Sequence, residues 1–486
     1  MPTVSVNRDK LFEALGKSFT DDEFQLLCFD FGIELDEVTT AAEVSNRQDQ
    51  KVLSPEEDYV IYKIDIPANR YDLLCIEGLT MALQVFQQQR ETPKFVVTEP
   101  KHRLVVKADT ERIRPFVVCA VLRGVKFDKH SYNSFLDLQD KLHFNICRRR
   151  SLVSMGTHDL SKVDQTAPFV YDARRPEDIS FVPLAQTKEY TNARELLDFY
   201  RTDPSVKHLK EYTDLIYDSE VYPVILDSKD RVMSLPPIIN SDFSKISQDT
   251  RDIFIEITAV DENKANIVLN TLVAMFSCYC ETPYHVEAVE VEYEATGRKV
   301  VTPNMNSRPM SASVRYLNAI SGLDLNPDKI CAILTKMMLS GTYDEKSDTV
   351  TVSVPPTRSD VLHACDVAED MAIAYGYNNL EKRPLTTITV GRQQPINQLT
   401  DLLRYVAFHV MPCYAMPCHA MPRWCADADV NCRVSDVCSL WLCADTRSPK
   451  LASLRCSLWV SARTWLIHAL ANHHRIPGPS DRADPN

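Results

Sequence analysis

Glycine is scarce in this chain, at 11 of 486 residues. Gly-rich phosphate-binding loops need several glycines close together so that backbone N–H groups can approach an anion, and the shortage argues against such a fold. Long apolar runs are also missing. No stretch reaches the roughly 18 apolar residues that a membrane-spanning helix requires. The N-terminus, Met1 to Leu15, has charges inside its first helical pattern in place of an apolar h-region, so no signal peptide is expected and a cytoplasmic location follows by default. A basic surplus is absent too. The net charge of −13 disfavours a general nucleic-acid coat protein, so RNA would have to be met by a local basic patch or through another subunit. The close C-x₂-C pair of common zinc sites does not occur. Eight of the fifteen cysteines are scattered through the first 400 residues, where buried free thiols are the plain reading, and seven crowd into residues 413–456.

The length suggests about three domains, and the patterning divides accordingly. Residues 1–91 begin with an apolar stripe at Leu11, Phe12 and Leu15. Thr20 and Glu23 then form a capping-box pattern ahead of Phe24, Leu26, Leu27 and Phe29. The polar stretch from Thr39 to Asp58 reads as a loop. Tyr59 to Ile66 alternates like a strand, and a helix is predicted from about Asp72 to Gln89. Residues 92–111 read as a mixed linker.

Residues 112–293 are α+β. Strands are predicted at 116–122, 221–226, 231–235, 253–259 and 285–293, with helices at 132–148 and 263–280 and a hairpin turn at Asp227–Asp230. Glu256 and Thr258 are two apart on a predicted strand and therefore share a face. The Gly156–Asp159 string reads as a tight turn capped by Asp159. His158 suggests a general base, but no Ser or Cys nucleophile lies at a recognisable spacing, so it ranks below Glu256. Arg148, Arg149 and Arg150 are placed at the negative end of a helix dipole, either solvated or against phosphates.

Residues 302–384 form a third unit. It has a helix after Asn326, a strand at Thr349–Val354, and a helix from about Val361 to Tyr375 that Asp360 would cap and Gly376 would end. Asp366, Glu369 and Asp370 stand at i, i+3 and i+4 on one helical face. By spacing alone that face is either a solvated acidic surface or a site for a hard cation such as Mg²⁺, which accepts oxygen ligands and keeps several waters. An internal echo links the first and third units. Pro67-Ala68-Asn69-Arg70-Tyr71-Asp72-Leu73-Leu74 repeats the form of Pro355-Pro356-Thr357-Arg358-Ser359-Asp360-Val361-Leu362, and in each copy the Arg is placed for a bidentate pair with its Asp. The first copy lacks the later acids, so no metal is expected there.

The string from Pro355 through Asp360, Asp366, Glu369 and Asp370 to Ala374-Tyr375-Gly376-Tyr377-Asn378 resembles the B5 domain of phenylalanine–tRNA ligase beta subunits of the eukaryotic and archaeal cytosolic type. Ile113-Arg114-Pro115-Phe116, Met155-Gly156-Thr157-His158-Asp159-Leu160, Leu235-Pro236-Pro237 with Asn240-Ser241, and Arg251 through Glu256 to Thr258 resemble the family's B3/B4 domain. The resemblance implies an α+β multidomain fold: a small N-terminal α/β B1-like domain at 1–91, an editing-type B3/B4 domain at 112–293, and a winged-helix-like B5 domain at 302–384. Residues 394–405 would then begin a truncated catalytic-like module.

The implied function is that of a ligase subunit. An alpha subunit, in a tetramer of two alpha and two beta chains, would attach phenylalanine to tRNA(Phe) with ATP. This chain would hydrolyse mischarged tyrosyl-tRNA(Phe) through Glu256, Thr258 and Asn240, and would hold Mg²⁺ through Asp360, Asp366, Glu369 and Asp370. Residues 406–486 depart from the family pattern. They hold all four tryptophans, no Glu or Gln, and a tandem at Met411, Met416 and Met421, and are read as an irregular, low-complexity tail from another reading frame. Two other readings stay open: a non-catalytic RNA-binding or scaffold protein built on the same domains, and a non-functional splice product.

Overall fold

A computed structural model describes residues 2–47, 58–382 and 391–409. Residues 1–382 form one compact unit. It opens with β1 (Thr3–Asn7), α1 (Arg8–Leu15), α2 (Asp21–Phe31), β2 (Glu34–Thr40), α3 (Ala41–Arg47), β3 (Val60–Asp65) and α4 (Ile76–Phe86). The three strands pair antiparallel in the order β1-β3-β2. The capping box forms as expected, with Thr20 and Glu23 each bonding the other's backbone N–H. Helix α2 buries Phe24, Leu27, Cys28 and Phe31, whereas Leu26 and Phe29 point outward. A 3₁₀ turn at Tyr71–Leu73 and a separate α4 replace the single helix predicted from Asp72. The predicted loop contains α3, and its residues 48–57 lie outside those described.

The central part is a ten-stranded mixed sheet. Its strands are β4 (Val96–Val106), β5 (Phe116–Leu122), β6 (Val153–Asp159), β7 (Phe169–Arg174), β8 (Tyr222–Leu226), β9 (Val232–Leu235), β10 (Ile239–Asn240), β11 (Ile253–Ala259), β12 (His285–Tyr293) and β13 (Arg298–Thr302). They run in the order β10-β9-β8-β7-β4-β12-β5-β11-β6, and β13 pairs with β12. Two predictions fail here. The expected linker contains β4, which lies parallel to both β12 and β7; its exposed first half hides the alternation that marks a strand. The expected tight turn at Gly156–Asp159 is the end of β6, buried along its whole length and paired with β11.

Helices α5 (Lys129–Phe144) and α8 (Glu262–Phe276) cover one face of this sheet, together with Ile253, Ile255 and Ile257 of β11. Phe254 faces the other side, where Leu104, Val121 and Val289 form a second core. Further helices, α6 (Ala193–Thr202) and α7 (Lys210–Thr213), build a satellite core against β8 and β9.

The last part contains β14 (Arg308–Ser313), α9 (Val314–Ser321), α10 (Pro327–Leu334), β15 (Ser340–Asp344), β16 (Thr349–Val354) and α11 (Ala364–Tyr375). Its sheet order is β14-β16-β15, antiparallel throughout, which with three helices gives the composition expected of a winged-helix-like unit. Asn326 caps α10 with Pro327 at the first position, and Gly376 ends α11, as read from the sequence. The cap of α11 is His363, not Asp360. By itself, α12 (Pro395–His409) confirms the helical spacing of Ile396, Leu399, Leu402 and Leu403. The Cys- and Trp-rich residues from 410 onward lie outside those described.

The first and last parts join where their two echoed corners meet. Met337, Met338 and Ala374 enter the core built by Phe31, Leu79 and Val85. Helix α4 comes so close to its own corner that only glycine fits at 78: a Cβ there would stand 1.7 Å from the Asp72 carbonyl oxygen. Gly78→Ala is therefore expected to destabilise the chain by about 3 kcal/mol through overpacking. The measurement is the midpoint of urea unfolding, and a wild-type midpoint would contradict this packing.

Candidate functional site

Beside the edge strand β6 lies a cavity of about 420 Å³. Its walls include Tyr132, Leu136 and His143 of α5, Thr157 of β6, Pro236 and Pro237 of the loop after β9, Asn240 of β10 and Glu256 of β11. Two of the three editing residues expected from the sequence, Glu256 and Asn240, line this one space. Thr258 does not. It shares the face of Glu256, as strand spacing required, but it is fully buried and its Oγ1 accepts from Arg114 Nε at 3.3 Å.

Glu256 is 1% exposed. It can be buried there because Gly156 stands opposite it across the ladder. A Cβ on Gly156 would lie 2.1 Å from Glu256 Oε1, so the carboxylate occupies the room that a side chain would take. Ser234 Oγ donates to Glu256 Oε1 at 2.7 Å, while Oε2 has no partner among the described residues. His158 is completely buried behind the carboxylate, with Nε2 at 3.8 Å from Oε1 and Nδ1 at 2.9 Å from Ser244 Oγ. It sits in a strand outside the cavity wall, as a support for Glu256 and not as a base facing substrate.

Residues that the sequence did not single out complete the wall. Met155 N–H donates to His143 Nε2 at 3.0 Å. Burial, reinforced by the charges of Arg150 and Arg114, holds His143 well below its ordinary range, so the imidazole is neutral. Arg148, Arg149 and Arg150 do not close a helix. Helix α5 ends at Phe144, and all three arginines then adopt left-handed backbone, with φ of 47°, 52° and 63°. Such residues cost about 1–2 kcal/mol each and normally occur singly. Arg149 N–H bonds His143 O at 2.7 Å, and Arg114 Nη1 donates to the carbonyls of Arg150 and Ser151 at 3.3 Å, so the turn is held from both sides. It aims the Arg150 guanidinium back at the cavity, where Nη1 donates to Ile238 O at 2.9 Å and the group lies over the Tyr212 ring.

The acid quartet is arranged differently from the metal site that was expected. Asp360 is gripped by Arg358, Nε to Oδ1 at 3.0 Å and Nη2 to Oδ2 at 2.7 Å, and Nη2 also donates to Asp370 Oδ2 at 2.6 Å. Asp366 accepts from the backbone N–H groups of Leu362 and His363 at the start of α11, and Glu369 is exposed. Among the described residues, no three His, Cys, Asp or Glu side chains converge as a metal centre. The guanidinium already occupies the position between Asp360 and Asp370 that a cation would need, so Mg²⁺ does not fit this arrangement.

Burial opposes the charge on Arg358, but Asp370 and Asp360 outweigh it and hold the ion in place. Burial pushes Asp370 up to about 6, against the pull of Arg358. The echoed pair forms as expected, with Arg70 bonding Asp72 at 2.9 and 2.8 Å. The corners are near enough that Asp72 favours the Arg358 ion and Arg70 favours ionised Asp360.

Comparison with known proteins concerns the chain as a whole. Three family profiles match: the Phe-tRNA synthetase beta subunit B1 domain over residues 1–89, the B3/4 domain over 114–281 and the tRNA synthetase B5 domain over 310–377. The chain is 48% identical to the phenylalanine–tRNA ligase beta subunit of Dictyostelium discoideum over 83% of this chain and 66% of that one. It is 48% identical to the Homo sapiens protein of the same name over 99% of this chain and 80% of that one. A crystal structure of an N-terminal fragment of the phenylalanyl-tRNA synthetase beta subunit from Pyrococcus horikoshii aligns with a TM-score of 0.67 at 28% identity, covering 77% of this chain and 99% of the fragment. The chain thus spans about two thirds of the length of several of the relatives it matches.

Because His143 stays neutral when folded, the folded chain takes up fewer protons than the unfolded one below about pH 6.5. The stability tied to this group is complete above that pH and falls as pH drops towards the folded-state value, by at most about 1.4 kcal/mol per pH unit. His143→Gln should flatten the wild-type decline between about pH 6.5 and 5 in urea unfolding; parallel curves would refute the assignment. Arg358→Met should cost about 3–5 kcal/mol, because two buried carboxylates lose their cation. Titration of the wild type with Mg²⁺ by calorimetry should show no saturable site that Glu369→Gln abolishes; such a site would restore the metal reading.

Proposed function

This chain belongs to the family of phenylalanine–tRNA ligase beta subunits, and from that membership we propose that its cavity beside β6 is a hydrolytic editing site for tyrosine wrongly attached to tRNA(Phe). A single observation carries the proposal: Glu256 Oε2 is a buried acceptor without a partner, in a cavity walled by aromatic and aliphatic side chains. A tyrosyl group would enter the cavity and donate a hydrogen bond from its phenol O–H to that oxygen. A phenylalanyl group of the same shape would leave the oxygen unpaired, at a cost of about 1–3 kcal/mol or more for a charged group. A site built around such an acceptor rejects the analogue that lacks the hydroxyl far better than a purely apolar pocket could. Water would then attack the ester carbonyl and free the tRNA 3′-hydroxyl and tyrosine. Asn240, on β10 in the cavity wall, would hold the ester, and Thr258 supports the strand through Arg114.

In the assembled ligase, ATP and Mg²⁺ belong to amino-acid activation, which we assign to the alpha subunit, and we place neither on the acids of this chain. The proposed partners are that alpha subunit, in the family's tetramer of two alpha and two beta chains, and tRNA(Phe). No described helix is long and apolar enough to cross a membrane, and one relative, from Arabidopsis thaliana, is named as cytoplasmic. A cytoplasmic location is proposed on that basis. Residues 1–91, 112–293 and 302–384 are proposed as the three family domains. Residues 394–405 would begin a further module, and 406–486 would be a separate tail.

The test is deacylation by the purified full chain. Wild type should release tyrosine from tyrosyl-tRNA(Phe) and spare phenylalanyl-tRNA(Phe). Glu256→Gln should slow the first reaction by about 10- to 100-fold, the worth of a hydrogen bond to a charged group, with the fold intact by circular dichroism. Equal rates for wild type and variant would remove Glu256 from the site.

A further inference from the structure

The editing cavity contains a second unpaired polar atom whose role follows from its tautomer. Met155 N–H donates to His143 Nε2, so in the neutral ring Nε2 is the acceptor and the hydrogen sits on Nδ1. That Nδ1 has no partner among the described residues, although His143 is 5% exposed and lines the cavity. A buried N–H left without an acceptor is as costly as a buried carboxylate oxygen left without a donor, and each points to a ligand that completes it. The residues lining the cavity thus include two with an unpaired donor, Nδ1 of His143 and Nε of Arg150, and one with an unpaired acceptor, Oε2 of Glu256. Those of His143 and Glu256 are complementary, and a single hydroxyl that accepts from one group and donates to the other satisfies both. Tyr132 and Leu136 on the α5 side supply the flat apolar surface that suits the ring bearing such a hydroxyl.

We propose that His143 is a specificity-determining residue of the editing site, its Nδ1–H donating to the phenol oxygen whose O–H donates to Glu256. This rests on the editing function proposed above and adds a second contact to it. The two contacts ask different things of the substrate: Glu256 asks only for a proton, whereas His143 asks for a lone pair. The neutral state of the ring matters here. A protonated ring would lose the bond from Met155 N–H, because Nε2 would become a donor facing a donor. The left-handed turn of three arginines takes part indirectly. It fixes the end of α5 through Arg149 N–H on His143 O, and so aims the ring at the cavity instead of letting the helix run on past it.

The inference is tested with the full chain and tRNA(Phe) charged either with tyrosine or with 4-aminophenylalanine. The amino group is close in size to the hydroxyl and still donates a hydrogen bond to Glu256, but its lone pair is drawn into the ring and accepts poorly. Wild type should hydrolyse the tyrosyl ester with kcat/KM about tenfold higher than the 4-aminophenylalanyl ester, the worth of one well-made hydrogen bond. In His143→Phe the tyrosyl reaction should fall by about tenfold and the ratio should approach one. His143→Asn, which keeps an N–H near the Nδ1 position, should recover part of the ratio. A merely structural role for His143 would slow both esters alike and leave the ratio as in wild type, and that result overturns the inference while leaving the editing function standing. If His143→Phe fails to fold, the wild-type ratio decides alone, and a value near one overturns it. If wild type hydrolyses neither ester, the editing function itself falls and the role of His143 falls with it.

Discussion

The carboxylate of Glu256 lies one strand in from the edge of a ten-stranded sheet, and the absence of a side chain at Gly156 across the ladder makes room for it there. Everything proposed for the cavity depends on this pairing. A slip of one residue between β6 and β11 would turn Glu256 into the α5–α8 core and expose an isoleucine to the cavity, because strand side chains alternate with a period of two. The register is protected on both sides: β11 is paired along all seven residues with β5 and again with β6. The rigid ladder is what lets a buried acid stay partly unpaired, since the structure cannot relax to satisfy it. Ser234 holds one oxygen, His158 stands behind the group, and the other oxygen is left for a ligand.

A different solution operates where the first and last parts of the chain meet. There the buried acids are neutralised internally. Arg358 serves Asp360 and Asp370 at once and also caps the Met337 carbonyl, and the Arg70–Asp72 pair stands close by. A guanidinium suits this position because it is planar, stays charged when buried, and presents several donors in fixed directions. Two copies of one short motif thus form a charged joint between domains far apart in sequence, surrounded by the methionines and aromatics of a shared core. Asp370 of α11 and Asp360 before it thus share a cation built into the chain.

Much of this was legible in the residues. The strand Ile253–Ala259 was placed at its observed limits, and alternation fixed which of its side chains face together. The bidentate pairing of Arg70 with Asp72 and of Arg358 with Asp360 followed from a two-residue spacing at a corner. What the sequence concealed was long-range. The strand Val96–Val106 looked like a linker because half of it is exposed, and its partners lie far away in the chain. Gly156-Thr157-His158-Asp159 has the composition of a turn, yet pairing with β11 makes it a strand. His143 carried no signal at all, because it sits inside an ordinary amphipathic helix and its importance comes from the edge of a strand twelve residues on.

Local covalent order therefore determined the elements, the caps, the Arg–Asp pairs and the family to which the chain belongs, since each depends on residues within a few positions of one another. Tertiary structure alone decided that Arg358 bonds Asp360 and Asp370 at once, that Thr258 turns to Arg114 and leaves the cavity, and that His143 and Glu256 come to line the same space. Hydrogen bonds and charges act over a few ångströms of space whatever the separation along the chain, and only the folded register brings such groups within that reach.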